Sequence, residues 1–169
     1  LTTKMSTDAY APGTPALLTT TSSEVTLLLD TANNPETVTF AIEEQNTGTY
    51  IQSDSTLGSE KIWQTYADWG DTILVASLSP DQSVSFRAQA RNCAENETGY
   101  SVTVDTTTMA NVPAAPTVDV VSANRIDVTI NANGNPSSVR YAVMETTTNQ
   151  YIGYNGNASE TAIWYNADW

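Results

Sequence analysis

Residues 84–92 read VSFRAQARN, and this stretch decides the fold. Apolar side chains at Val84, Phe86, Ala88 and Ala90 alternate with polar ones, so every second position suits a hydrophobic interior. Successive side chains of a β-strand point to opposite faces of a sheet, and this spacing arises when one face lies on a core. The stretch therefore predicts a half-buried β-strand.

Further strand signals precede and follow this one, and turn-forming residues separate them. The predicted strands span residues 16–18, 24–30, 37–44, 50–52, 72–78, 84–91 and 100–105. No long stretch shows the 3.6-residue periodicity of an amphipathic helix. Seven short strands within about 95 residues predict an all-β fold in which two antiparallel sheets pack as a sandwich.

The sequence repeats itself at an offset of 101 residues, as the matching pairs show. They include Pro12 with Pro113, Asn34 with Asn135, Pro35 with Pro136, Tyr50 with Tyr151, Ile51 with Ile152 and Trp63 with Trp164. This period is the length of a domain and exceeds the roughly 20 to 50 residues of a solenoid repeat.

The repeat predicts two domains in tandem. We expect a complete domain at residues 12–108 and the N-terminal part of a second at 116–169. Residues 109–115, which include Pro113 and are followed by Pro116, form the predicted linker, and residues 1–11 the linker from a preceding region. Because the second copy lacks counterparts of the last three strands, we expect the polypeptide to continue or another subunit to supply them.

Composition excludes several classes of function. The 169 residues carry a net charge of −13, with six Lys and Arg against nineteen Asp and Glu, which disfavours nucleic acid and anionic membranes as partners. No apolar run is long enough to span a bilayer. The absence of histidine excludes Ser-His-Asp and Cys-His catalysis, and the single cysteine excludes an internal disulfide. We therefore expect no enzyme activity, no cofactor and no metal site.

Charged residues make up only 15% of the chain, whereas about a quarter is usual. Uncharged Thr, Ser and Asn take their place. This composition is common on the surfaces of secreted and cell-surface β-proteins, and it predicts an extracellular or cell-surface location.

Several of these stretches resemble the second half of a fibronectin type III domain. They are residues 78–80 (LSP), the strand at 84–92 with its Ala-x-Asn ending, the Gly99-Tyr100 hairpin, and the terminal threonines 106–108. The resemblance covers about residues 11–108 completely and 113–169 in part. It implies tandem immunoglobulin-like sandwiches, the second one incomplete in this chain.

Two positions depart from the family pattern. Val84 stands where the family usually has the tyrosine of its corner, and the second strand has Leu27 and Leu29 without the usual tryptophan. The departures favour the bacterial, secreted type of the domain, whose copies often carry an insertion with Tyr and Trp residues. Trp63 and Trp69 would then supply the missing aromatic core volume.

Trp63, Tyr66 and Trp69 form an aromatic group with two interpretations. Exposed tryptophan and tyrosine rings can stack against sugars, so the three are candidate glycan contacts. Alternatively, they pack over the sheet edge and close the core. Tyr50 belongs to the same group, which returns in the second copy as Tyr151, Trp164, Tyr165 and Trp169.

Other motifs carry weaker signals. Asp68 and Asp71 could contribute to a Ca²⁺ site, but two carboxylates without the D-x-D-x-D-G spacing favour a solvated loop. Asn96 and Asn157 lie in N-x-[ST] sequences, the acceptor pattern of N-glycosylation. Cys93 has only Arg91 as a basic neighbour, and we expect an unreactive thiol.

Taken together, these patterns predict a non-catalytic spacer, adhesion or assembly segment of a larger cell-surface or filament-forming protein. Its partners would be other domains or subunits of the same protein. The alternative is a pair of accessory domains, in contact with carbohydrate, from a secreted polysaccharide-degrading enzyme.

Overall fold

The computed structural model describes residues 7–168 and divides the chain into two compact units, Leu1–Met109 and Ala110–Trp169. The first unit contains nine strands and one short helix within the described residues. They are β1 (Ala16–Thr20), β2 (Val25–Leu28), β3 (Thr39–Glu44), β4 (Thr49–Ile51), β5 (Leu57–Gly58), β6 (Gln64–Thr65), α1 (Tyr66–Trp69), β7 (Ile73–Val75), β8 (Ser83–Arg91) and β9 (Val104–Thr107).

Two antiparallel sheets make up the first unit. One has the strand order β1-β2-β7, and the other has the order β5-β4-β3-β8-β9, with β6 pairing the beginning of β3. The strand predicted from residues 84–91 is the long β8, which pairs with β3 along its C-terminal part and with β9 along its N-terminal part.

The core lies between the two sheets. Val25 and Leu27 of β2 are fully buried, and so are Ile42 of β3 and Phe86 of β8. Ala88 and Ala90 are also fully buried, as the alternation in residues 84–92 predicts. The predicted antiparallel sandwich is confirmed.

A threonine after the last strand forms hydrogen bonds to the segment before β8. Fibronectin type III domains usually have a tyrosine at this corner. Val84 is an apolar core residue here, whereas Thr108, just after β9, is 2% exposed. The Thr108 hydroxyl donates to the Ser79 carbonyl at 2.6 Å and accepts from the Gln82 amide at 2.8 Å. The backbone amide of Thr108 donates in turn to the Gln82 carbonyl. The hydroxyl-to-backbone bond at this corner therefore comes from the residue that follows β9 instead of from β8.

The predicted strand at 100–105 is shifted to Val104–Thr107. Residues 98–101 still follow β8, but hydroxyl groups accept two of its amides: Ala88 donates to Ser101 Oγ and Ala90 to Thr98 Oγ1. A regular strand would use carbonyl oxygens there. Alternation in the sequence cannot reveal this exchange of acceptors, so it places the strand too early.

The second unit is built from two small antiparallel sheets within its described residues. One pairs β10 (Ala114–Ser122) with β11 (Arg125–Asn131). The other contains β12 (Met144–Glu145), β13 (Gln150–Ile152) and β14 (Ala158–Ser159), with a 3₁₀ turn at Tyr154–Gly156. β10 begins inside the stretch predicted as the linker.

The 101-residue repeat is visible in the strand registers. Leu17 lies opposite Leu27, and Val118 lies opposite Val128. The same offset relates the pairs Glu43–Tyr50 and Met144–Tyr151, Tyr50–Gly58 and Tyr151–Ser159, and Phe40–Gln64 and Tyr141–Tyr165. The two copies therefore fold alike locally over the region they share.

A glutamate clamps the hairpin after the third strand in both copies. In the first, Glu44 Oε2 accepts from the amide and hydroxyl of Thr47. In the second, Glu145 accepts from the amides of Thr147 and Thr148 at 2.7 and 2.8 Å and from the Thr148 hydroxyl at 2.6 Å. The shared Glu-x-x-Thr segment thus becomes a shared turn.

The clamp of the second unit should respond to acid. Hydrogen bonds from Thr148 and Thr147 lower the pKa of Glu145 from 4.5 to about 2. A carboxyl with a depressed folded-state pKa stabilises the fold above its unfolded pKa, and the contribution is lost as pH falls from about 4.5 through 2. We expect the side-chain carboxyl resonance of Glu145 to titrate with a midpoint near 2 in an NMR experiment. A midpoint near 4.5 would show that the turn is open in solution.

Candidate functional site

The structure separates the three aromatic residues predicted as glycan contacts. Tyr66 and Trp69 belong to α1, and both are partly buried against the hydrophobic core. The Trp69 indole N–H donates to the Phe40 carbonyl at 3.0 Å. Trp63 lies beside two cationic side chains instead. The core-closing interpretation therefore describes Tyr66 and Trp69, but not Trp63.

A capping box forms α1 and engages one of the two candidate calcium ligands. Thr65 Oγ1 accepts from the Asp68 amide, and Asp68 Oδ2 accepts from the amide and hydroxyl of Thr65. Asp68 is thereby committed to the start of the helix. Within residues 7–168, no three His, Cys, Asp or Glu side chains are grouped so that they could hold a metal ion.

Tyr66 also lines an open groove of about 600 Å³ in the first unit. Leu28, Pro35 and Phe40 contribute apolar surface to it, and Asp30 and Glu36 contribute carboxylates. Trp69 lines a second, smaller pocket of about 140 Å³, so Tyr66 and Trp69 both border concave surfaces.

The side chains with the most elaborate contacts lie outside this groove, on the outer face of the larger sheet. We call them the cation–aromatic cluster: Tyr50, Lys61, Trp63, Arg87, Arg91 and Tyr100. Lys61 Nζ lies 4.8 Å from the centre of the Trp63 ring, 5.5 Å from that of Tyr100 and 5.8 Å from that of Tyr50. The guanidinium carbon of Arg91 lies 4.6 Å from the Trp63 ring centre, and that of Arg87 lies 4.0 Å from the Tyr100 ring centre.

The alternation in β8 positions two of these cations. Since Val84, Phe86, Ala88 and Ala90 point into the core, residues 85, 87, 89 and 91 point outward. Arg87 and Arg91 therefore form a row about 13 Å long on the outer face, at a rise of roughly 3.3 Å per residue. Three of the chain's six Lys and Arg residues lie in this cluster, although the whole chain carries a charge of −13.

Carboxylates partner two of the cations. Arg87 Nε donates to Glu43 Oε2 at 2.9 Å, and this bond raises the pKa of the Arg87 guanidinium. Lys61 Nζ donates to Glu97 Oε2 at 2.8 Å and also to Gln89 Oε1. In contrast, the Arg91 guanidinium has Trp63 as its side-chain neighbour, and no described residue accepts a hydrogen bond from it.

The two tyrosines of the cluster meet at their hydroxyl groups. Their hydroxyl oxygens are 3.3 Å apart. Burial, followed by hydrogen bonds to Tyr50 and Glu43, raises the pKa of the Tyr100 phenol. Tyr100 therefore keeps its proton well into the alkaline range.

Sequence reasoning identified Trp63 and Tyr50 but missed Lys61, Arg87, Arg91 and Tyr100. The signal that could have found two of them was present, since arginine occupies two outward positions of the predicted strand. Lys61 and Tyr100 reach the cluster from irregular segments, whose side-chain directions no periodicity specifies.

The second unit has no matching cluster among its described residues. Trp164, the counterpart of Trp63, is 59% exposed, and alanine stands at position 162, the counterpart of Lys61. Tyr165 pairs with Tyr141 through their backbones. Trp169 lies outside the described residues.

Both predicted glycosylation positions are exposed. Asn96 lies in the turn after β8, where its amide donates to Asn92 Oδ1 at 2.9 Å. Asn157 follows the 3₁₀ turn, and its carbonyl accepts from the Gly153 amide. Cys93 is exposed near Asn96. Glycosylation of either asparagine stays a prediction.

No family model and no curated protein sequence matches this chain. Among solved structures, the fibronectin type III domain of human fibronectin type III domain containing protein 3 is similar, with 17% identity and a TM-score of 0.44 over 64% of this chain and 93% of that one. A Yersinia enterocolitica family 28 exopolygalacturonase matches with 18% identity and a TM-score of 0.43, over 60% of this chain and 21% of that one.

A computationally redesigned β-sandwich protein is also similar, with 14% identity and a TM-score of 0.40, over 59% of this chain and 95% of that one. Among residues 7–168, no helix has the length and apolarity to cross a membrane. The chain is an all-β protein whose first unit is an antiparallel β-sandwich.

Proposed function

We propose that this chain is a non-catalytic assembly and spacer segment of an extracellular protein, and that an apolar sheet face of its second unit is covered by another domain or subunit of the same protein. The observation that carries this proposal is the exposure of an apolar sheet face in the second unit. The equivalent residues of the first unit are buried.

The apolar face lies on β10 and β11. Val118 is opposite Val128, and Val120 is opposite Ile126, so all four side chains point to the same side of the sheet. Val118, Val120 and Ile126 are 57%, 76% and 61% exposed. Large contiguous apolar surfaces of this kind are characteristic of interaction sites in soluble proteins.

The first copy of the repeat indicates which structure can cover this face. Val25 and Leu27, the counterparts of Ile126 and Val128, are fully buried in the first unit. There they pair with Val75 and Ile73 of β7 and lie under the second sheet. A strand with aliphatic residues at alternate positions, paired with β11 in the β2–β7 register, would bury Ile126 in the same way.

Self-association tests this proposal. We expect the 169-residue chain to associate reversibly in sedimentation velocity as its concentration is raised, because burial of apolar surface favours covering the β10–β11 face. Ile126→Ser should weaken association at least tenfold. Val102→Ser is the matched control, since Val102 is 74% exposed in the first unit. A wild-type chain that stays monomeric at every concentration, and binds no hydrophobic dye, would contradict the proposal.

The cellular location has its own test. The low charged fraction and the many hydroxyl and amide side chains support an extracellular location, and fractionation of the source cells would place the protein in the medium or on the surface. Recovery in the cytosol alone would contradict that part of the proposal.

A second candidate function is contact with carbohydrate, as in an accessory domain of a secreted polysaccharide-degrading enzyme. The specific observation in its favour is the cation–aromatic cluster. The cluster combines aromatic rings, tyrosine hydroxyls and an arginine that has no carboxylate partner among the described residues.

A further inference from the structure

We propose that the cation–aromatic cluster of the first unit binds a carboxylate-bearing oligosaccharide, that is, an oligouronate. The proposal rests on the second candidate function and specifies the chemistry of its ligand. It assigns the ligand to the outer face of the β3–β8 sheet, away from the groove beside Tyr66.

Arg91 is the anchor of the proposed site. Its flat guanidinium group stacks on Trp63, which holds the group in place. Within residues 7–168 no side chain or carbonyl accepts from its N–H groups, so this part of the chain leaves the fork of donors open. A guanidinium fork matches a carboxylate because both are planar and can form two parallel hydrogen bonds.

The other cations extend the site along β8. Glu43 and Glu97 offset the charges of Arg87 and Lys61, which leaves one net positive charge among the five charged side chains. The Glu97 side chain is 42% exposed, and exposed ion pairs of this kind are weak. A ligand carboxylate can therefore compete with Glu97 for Lys61 at little cost, while Arg91 holds a neighbouring carboxylate.

A saccharide fits this surface better than an acidic peptide does. Extended peptides commonly bind a sheet by adding a strand at an open edge. Around the cluster β8 is an interior strand: it pairs with β3 on one side, and Ala88 and Ala90 bond to Ser101 and Thr98 on the other. The features that the cluster presents are half-buried side-chain groups, namely guanidinium, ammonium, aromatic rings and phenol hydroxyls, which suit the carboxylates and hydroxyls of a linear acidic sugar.

Titration of the 169-residue chain with tetragalacturonate tests the proposal. We expect saturable NMR shifts of the Trp63 indole and of the Arg91 and Lys61 side chains, which weaken as salt is added. Arg91→Gln should reduce affinity at least tenfold. Arg125→Gln is the matched control, because Arg125 is an exposed arginine of the second unit, paired with Asp127, and its loss should change affinity less than twofold.

Three further measurements separate specific binding from other effects. Neutral galactotetraose should cause no saturable shift at Trp63, and a thermal melt should show that the Arg91→Gln chain is folded. Polyglutamate should bind much more weakly than the uronate at equal charge. Any of three results would overturn the proposal: no saturable shift with tetragalacturonate, an equal loss of affinity in both arginine variants, or equal binding of polyglutamate. The assembly role would stand in each case, because it depends on the other unit.

Discussion

Replacement of Glu44 by leucine should lower the free energy of unfolding of the first unit by about 3 kcal/mol, because several amides lose a charged acceptor. Glu44 is fully buried. Its Oε1 accepts from the amides of Ser85 and Asn46 at 2.9 and 3.1 Å, and its Oε2 accepts from the amide and hydroxyl of Thr47. Urea unfolding, followed by NMR signals of β3 and β8, measures the loss.

Two variants sharpen this prediction. Glu44→Gln keeps acceptor oxygen and should cost about half as much, since hydrogen bonds to a neutral acceptor are weaker than those to a charged one. Glu145→Leu removes the equivalent clamp from the second unit and should leave the unfolding of the first unchanged. A Glu44→Leu chain as stable as the wild type would mean that the clamp is not formed in solution.

Replacement of Trp69 by alanine should destabilise the first unit by about 3 kcal/mol, because it removes a large aromatic side chain that packs on the core. It also leaves the Phe40 carbonyl without the indole donor. Thermal unfolding of the variant, compared with the wild type, measures the effect.

The matched control for this change is Trp164→Ala in the second unit, where the side chain is 59% exposed. That substitution should change stability by less than about 0.5 kcal/mol. If the two variants were equally stable, Trp69 would not be a core residue, and its interpretation as a glycan contact would return.

The sequence predicts the fold well where burial is periodic. The alternation in residues 84–92 identifies β8, the longest strand of the first unit, with its inward and outward faces assigned correctly. The repeat anticipates the common strand registers because matching residues fold alike locally. In each case one local pattern corresponds to one local structure.

The sequence predicts less where chemistry depends on irregular segments. Asp68 is expected in a solvated loop, yet its reciprocal hydrogen bonds with Thr65 start a helix of four residues. That helix carries Tyr66 and Trp69 to the core and leaves Trp63 on the outer face. Lys61 reaches three aromatic rings from a non-repeating segment, and this contact depends on tertiary structure alone.

The repeat also shows where similar sequence does not produce similar burial. Ile126 matches Val25 in position and character, yet one is 61% exposed and the other is fully buried. The difference does not lie in the strand, which has the same partner in both copies. It lies in the presence of β7, β8 and the sheet around them, which cover Val25 in the first unit.

The main difference between the two units is that the first is a closed sandwich and the second presents an open sheet. Native-state hydrogen exchange in dilute solution, where association is minimal, tests it most directly. We expect the amides of Ile42 and Ala88 to exchange only through global unfolding of the first unit, whereas those of Val128 and its neighbours in β11 should exchange at least a hundredfold faster. Equal protection of the two sets in dilute solution would contradict it.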